Sequence, residues 1–92
     1  MNKIKQGVNK FYIGENEKVA IAEITFIPKG GDRFVVNHTF VDESLRGKGI
    51  AQQLLDQVVE LARKEIRKII PQCSYAKVTM NRYEKYKDVL AE

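Results

Sequence analysis

Residues 34 to 66 change periodicity once, and the change falls at a glycine-bearing turn. Before the turn, Phe34-Val35-Val36-Asn37-His38-Thr39-Phe40-Val41 has the β-branched and aromatic make-up of a strand, which we extend back to Arg33. After it, from about Ile50 to Ile66, Ala51, Leu54, Leu55, Val58, Leu61, Ala62 and Ile66 recur at helical spacing. Gln52, Asp56, Glu60 and Arg63 fall mostly on the opposite side. At 1.5 Å per residue such a helix is roughly 27 Å long, enough to cross a small sheet. The turn itself reads Arg46-Gly47-Lys48-Gly49-Ile50-Ala51. A turn that feeds a helix leaves its first N–H groups without intrahelical partners, at the positive end of the helix dipole. Both features attract phosphate, so a phosphate-bearing ligand is the first functional expectation.

The flanking segments complete a layout. Phe11-Tyr12-Ile13 reads as a short strand running into the turn-like Gly14-Glu15-Asn16-Glu17. From Lys18 to Ile27 a second strand puts Ala20, Ala22, Ile24 and Phe26 on one face and Val19, Ile21, Glu23 and Thr25 on the other. Pro28-Lys29-Gly30-Gly31-Asp32 predicts a turn, after which the strand to Val41 closes an antiparallel meander. Beyond the helix, Lys68-Ile69-Ile70 is a short buried strand stopped by Pro71, and Ser74 to about Leu90 is one broken helix or two short ones. Strand, helix, strand in that order joins parallel neighbours. The expected fold is α+β: a mixed, mostly antiparallel sheet of about four to five strands, one long helix and a C-terminal helical segment.

Composition narrows the function classes. A 92-residue chain is expected to form one domain, 1–92, and a 43% apolar, 30% charged composition is that of a globular protein. No window approaches the ~18 apolar residues of a membrane span. Met1-Asn2-Lys3-Ile4-Lys5-Gln6-Gly7 lacks the apolar run of a signal peptide. Cys73 is the single cysteine, which excludes an internal disulfide and fits a reducing, cytoplasmic setting. A net charge of +4 raises the question of nucleic acid, but cations alternate with acids, as in Arg63-Lys64-Glu65 and Glu84-Lys85-Tyr86-Lys87-Asp88. A binding footprint clusters its cations, so we read a mildly basic solvated surface that favours small anionic ligands. No metal site is expected.

Individual residues carry chemistry. Arg46 can pair with a phosphate or brace the turn, and Gly47 and Gly49 let the backbone approach an anion where a Cβ would obstruct it. Ala51 is small enough for close helix–strand packing. The amides of Gly47, Lys48, Gly49, Ile50 and Ala51 are the candidate donors. His38 is the only histidine, a candidate general base, with Glu23 on the neighbouring strand as its rival. Cys73 stands at a strand end before a helix start, where a thiol is more nucleophilic than elsewhere; the alternative is a small apolar core residue.

Arg46-x-x-Gly49-x-Ala51, in its strand–helix setting, is similar to the pyrophosphate loop of the GNAT superfamily of acyl-CoA-dependent N-acyltransferases. Together with His38-Thr39 and Pro71-x-Cys73-Ser74-Tyr75, it resembles a small, truncated branch of roughly 90–100 residues, the likeness running over about residues 9 to 90. The resemblance implies acetyl-CoA as the co-substrate and an unidentified amine, small or protein-borne, as acceptor. It implies that Thr39 and Val41 contact the pantetheine arm through exposed backbone, and that a main-chain N–H near Phe40 holds the thioester oxygen. Cys73 would accept the acetyl group or protonate the departing thiolate.

The chain departs from the family pattern in three ways. Aligned on Ala76, it has Cys73 for the usual asparagine and Met80 for the tyrosine that protonates the thiolate. Methionine cannot donate a proton, and Tyr75 is the best substitute, with Tyr83 and Tyr86 expected to pack with their hydroxyls at the surface. The two helices that wall the acceptor site in larger relatives are missing, because only Gly14-Glu15-Asn16-Glu17-Lys18 separates Ile13 from Val19. Two functions follow as alternatives: an acetyl-CoA-dependent N-acetyltransferase, or an acyl-CoA-binding sensor or carrier of the same fold.

Overall fold

Alternation along the longest strand decides where the core lies. In the computed structural model, which describes residues 3–91, that strand is β3 (Val19–Lys29). Ala22, Ile24 and Phe26 are buried on one face, while Val19 and Ile21 on the other are 55% and 39% exposed. Around it lie β1 (Lys5–Gly7), β2 (Lys10–Asn16), β4 (Arg33–Val41) and β5 (Lys68–Pro71). The strands are hydrogen-bonded in sequence order, antiparallel throughout except for the parallel pair β4–β5. The expected mixed sheet and its parallel crossover are therefore present.

The crossover is helix α1 (Ile50–Glu65), which lies on the apolar face and buries Leu54, Leu55, Val58, Val59 and Ala62. Helix α2 (Ser74–Arg82) and the 3-10 turn Glu84–Tyr86 sit on the same side. Tyr86 is inserted beside α1, where its hydroxyl donates to Asp56 Oδ1 at 2.6 Å and accepts from Gln52 Nε2 at 3.1 Å. Its hydroxyl is thus held inside the helical layer and not at the surface, and burial beside the Asp56 carboxylate pushes its pKa up to about 12. The chain end then pairs with β5, Ile69 N–H donating to Val89 O and Ala91 N–H to Ile69 O. Among the described residues no helix covers the other face of the sheet.

Several expected boundaries move. β1 is an additional strand, and β2 continues through Gly14, Glu15 and Asn16, which were expected to turn; register shifts at Gly14 let the strand extend. Pro28 and Lys29 belong to β3, and the turn is confined to residues 30–32. Pro71 pairs with Val36 as the last residue of β5. Ile66, placed on the helix's apolar face by spacing, is 89% exposed. It ends α1 in the left-handed region, φ 56°, with Arg67 N–H bonded to Ala62 O and Ile66 N–H to Arg63 O, the paired bonds of a Schellman cap.

Two irregularities of β4 bear on its outer half. First, Thr25 pairs with His38 but Phe26 pairs with Val36, so Asn37 is an extra, bulged residue, held by Thr25 Oγ1 at 2.6 Å. The bulge turns His38 and Phe40 to the bare face of the sheet and Thr39 and Val41 to the helical face, opposite Ile24 and Ala22. Second, the β4–β5 ladder ends at Val36–Pro71, where Gln72 and Cys73 both donate to Val36 O at 2.9 and 3.1 Å. From Asn37 to Val41 the strands diverge, and β4 has no strand partner on that edge.

Candidate functional site

The turn expected to hold phosphate has an anion site's geometry. Gly47 and Gly49 both adopt positive φ, 81° and 74°, a conformation that glycine adopts without strain. Gly49 is the N-cap of α1 and makes no side-chain cap bond, and the first turn of the helix carries no acid. The first intrahelical bond there is Gln53 N–H to Gly49 O at 3.1 Å. Helix geometry therefore leaves the N–H groups of Ile50, Ala51 and Gln52 without intrahelical acceptors, and they face outward along the axis. A Cβ built at Gly47 or Gly49 meets no atom within 4 Å, so the space over the turn is open at both positions. Arg46 braces the turn through Nε to Val41 O at 3.3 Å and keeps its remaining guanidinium donors exposed. Asp42 pins the approach to the turn by accepting from Ser44 Oγ and N–H, which hold its carboxyl below the usual carboxylate range.

A cleft of about 240 Å³ opens over this turn, lined by Val41, Leu45, Gly47, Ala51, Gln52 and Tyr75 among others. Ala51 faces this cleft rather than being fully packed against the strand. The cleft wall includes Val41, the last residue of the diverging half of β4. At the divergence Thr39 Oγ1 lies 3.3 Å from Cys73 Sγ, joining the two strand ends. Cys73 also caps α2, its sulfur accepting from Ala76 N–H at 3.4 Å. Tyr75, two residues further on, is half-buried in the cleft wall, and burial raises its pKa above the ordinary tyrosine value. Met80, at the family's tyrosine position, is fully buried in the core and touches neither cleft nor solvent.

Backbone alternation assigns the free groups of β4. Asp42 N–H donates to Ile21 O, toward β3. Phe40, two residues earlier and paired with Glu23, points its amide the same way, so the N–H groups of Thr39 and Val41 are those that face the divergence. The free amides near Phe40 are thus those of its two neighbours, Thr39 and Val41. His38 and Glu23 lie on the bare face, His38 Nε2 at 3.8 Å from Glu23 Oε2 and Lys10 Nζ at 3.4 Å from Glu23 Oε1. The candidate residues therefore divide between two faces of the sheet: Thr39, Val41, the turn, Tyr75 and Cys73 on the helical side, His38 and Glu23 on the other. Spacing alone singled out neither the pairing of Glu23 with His38 nor the place of Gln52 in the cleft wall. No described helix is long and apolar enough to cross a membrane, and among the described residues no cluster of three metal-ligating side chains occurs.

Comparison with known proteins identifies the family and the fold. Residues 10–89 match the family described as GCN5-related N-acetyl-transferase. The fold is similar to that of a GCN5-like protein from Staphylococcus aureus solved by NMR, with 44% identity, a TM-score of 0.83, and coverage of 97% of this chain and 87% of that one. It also resembles a GNAT family acetyltransferase from Elizabethkingia anophelis crystallised with acetyl-CoA, at 19% identity and a TM-score of 0.56, over 79% of this chain and 50% of that one. Ard1 from Thermoplasma volcanium is similar at 12% identity and a TM-score of 0.60, over 80% of this chain and 53% of that one. These two likenesses are of fold, and the chain spans about half the length of either protein. A search of curated proteins found no match.

Proposed function

The chain belongs to the GCN5-related N-acetyltransferase family, and from that premise we propose that it moves an acetyl group from acetyl-CoA to an amine. The observation that carries the proposal is the turn from Arg46 to Ala51, with two left-handed glycines, an uncapped helix N-terminus and a cleft whose wall includes Val41 at the end of β4. Acetyl-CoA supplies the acetyl group as a thioester. The amides from Gly47 to Ala51, with Arg46, take the pyrophosphate. Thr39 and Val41 take the pantetheine arm through the edge of β4, and one of their N–H groups holds the carbonyl oxygen.

The amine enters from the bare face. It arrives as an ammonium and loses two protons on becoming an amide. One passes to solvent before attack, and His38, oriented by Glu23, takes the second. Tyr75 Oη gives one to the leaving sulfur, so the protein's own proton count closes over the cycle. As the new C–N bond forms, the C–S bond breaks and its electron pair leaves with the sulfur. Tyr75 is preferred over Cys73 as the acid because it lines the cleft, while the Cys73 thiol is engaged by Ala76 and Thr39. Cys73 then holds Thr39 in place. The burial of Met80 supports a second reading, in which the protein binds acyl-CoA as a sensor or carrier with little transfer.

An NMR titration with acetyl-CoA, followed in the same tube for loss of the acetyl group across an amine panel, separates the two. Shifts of the Gly47 to Ala51 amides with acetylated amine are expected. Absence of those shifts refutes both readings, and shifts without turnover leave the carrier.

A further inference from the structure

We propose that the bare face of the sheet also holds the far end of the acceptor, and that the acceptor is an amine carrying an anionic group on an apolar body. This rests on the transferase reading, in which the amine enters from this face. The pairings Lys5–Tyr12, Tyr12–Glu23 and Glu23–Phe40 set those four residues side by side across four strands, all on the bare face. His38, Thr25 and Lys10 form the next row in the same way. The proton-removing pair therefore sits at the β3–β4 end of a transverse row that finishes, two strands away, at a lysine.

Beside that lysine the face is hollow. Lys3, Lys5, Ile13, Gly14, Glu15, Val19 and Ile21 line a depression of about 450 Å³. Its volume is within the roughly 300–1,000 Å³ of small-molecule sites. Ile21 and Val19, exposed apolar residues of β3, form the ramp into it from Glu23, with Ile21 the extra residue at the register shift beside Gly14. At its rim Lys5 Nζ is anchored to Gly14 O at 2.8 Å with two donors left over, and Lys3 adds a second cation. Glu15 is the opposing carboxylate, so two positive groups face one negative. Lys10 is committed to Glu23 and does not enter the count.

The span and the charges select the ligand. From the backbone of Glu23 to that of Lys5 is two strand spacings, roughly 10 Å, and Lys5 Nζ lies further along, at Gly14 O. An ω-amino acid fits: its nitrogen at His38 and Glu23, its chain over Tyr12 and along Ile21, its carboxylate at Lys3 and Lys5. A diamine of the same length would set its second ammonium against the two lysines, and a simple alkylamine would leave the rim unused. The missing helices thus expose a binding surface that the sheet itself supplies.

The test compares ε-aminocaproate, its uncharged amide and cadaverine as acceptors for the intact protein with acetyl-CoA. We expect ε-aminocaproate to shift the amides of Gly14, Val19 and Ile21 and to be acetylated with kcat/KM about tenfold above the amide, equivalent to about 1.4 kcal/mol. Cadaverine should be the poorest. Lys5→Glu should abolish the preference for the acid while leaving the affinity for acetyl-CoA unchanged; Lys3→Glu, at the rim and outside the strands, serves if Lys5→Glu misfolds. Equal rates for acid and amide, or an undiminished preference in the variants, overturn the proposal alone. Acetyl-CoA that leaves Gly47 to Ala51 unshifted overturns the underlying reading and this one with it.

Discussion

Replacing Gly49 by asparagine and by aspartate isolates the charge that the turn is built to receive. The two side chains have nearly the same shape, and both tolerate the left-handed backbone that φ 74° requires better than other residues do. Either side chain projects into open space, since a Cβ at this position meets nothing within 4 Å. Both variants should therefore fold, with stability lowered together by at most about 1–2 kcal/mol. Asparagine removes room and some affinity. Aspartate does the same and adds a negative charge where a phosphate must sit. Two unit charges about 4 Å apart repel by about 1 kcal/mol in water and about 4 kcal/mol near a protein surface. Gly49 is exposed, so the lower half of that range applies, about 1–2 kcal/mol, or about 5- to 30-fold in affinity. Isothermal titration of acetyl-CoA into the two variants measures the difference. The gap should close as the ionic strength rises toward about 1 M, where the Debye length is about 3 Å. Equal affinities for the two variants at low salt, with both folded, would refute the phosphate assignment of the turn.

Three further outcomes are expected. Ile66→Gly should stabilise the protein, because a β-branched residue held at φ 56° and exposed to water gives up about 1–2 kcal/mol that glycine does not; a thermal melt should move up by several degrees, and a fall would show that Ile66 packs in solution. Tyr75→Phe should lower kcat by ~10²-fold or more with acetyl-CoA affinity unchanged. Since burial raises the Tyr75 pKa, the protonated acid persists through neutral pH and is lost only as pH rises beyond the ordinary tyrosine range; wild-type kcat should show that alkaline limb, and a limb at neutral pH would exclude Tyr75. Cys73→Ala should slow transfer by less than tenfold and cost about 0.5–2 kcal/mol of stability through the lost α2 cap, measured by urea unfolding; unchanged kcat would return Cys73 to a purely structural role.

The parts of this molecule that were legible in the sequence are those with a long period or a local signature. Helix α1 carries four helical turns of apolar spacing, and the turn before it holds two glycines at the positions where the backbone turns left-handed. β1 was illegible because three residues, Lys5-Gln6-Gly7, are too few to show alternation. Ile66 misled because spacing cannot tell a helix's last apolar residue from its cap. The site was harder. Simple alternation from Phe34 and Val36 places His38 toward the core, and only the Asn37 bulge, invisible as a sequence pattern, carries it to the other face beside Glu23. The role of Gln52 depends on Tyr86, 34 residues away, and no local pattern reports such a contact.

The divergence of β4 from β5 also has a meaning for motion. A strand bonded on both edges opens only when two ladders break together, whereas Asn37 to Val41 is held along one edge. That half of β4, like β1 at the other edge of the sheet, is a low-energy fluctuating segment beside the doubly bonded β3, and its amides should exchange with solvent long before those of Ile24. A ligand that bonds to the free edge supplies the second ladder. Its arrival would be felt first as quieting, a drop in exchange at Thr39 and Val41, before any change in shape.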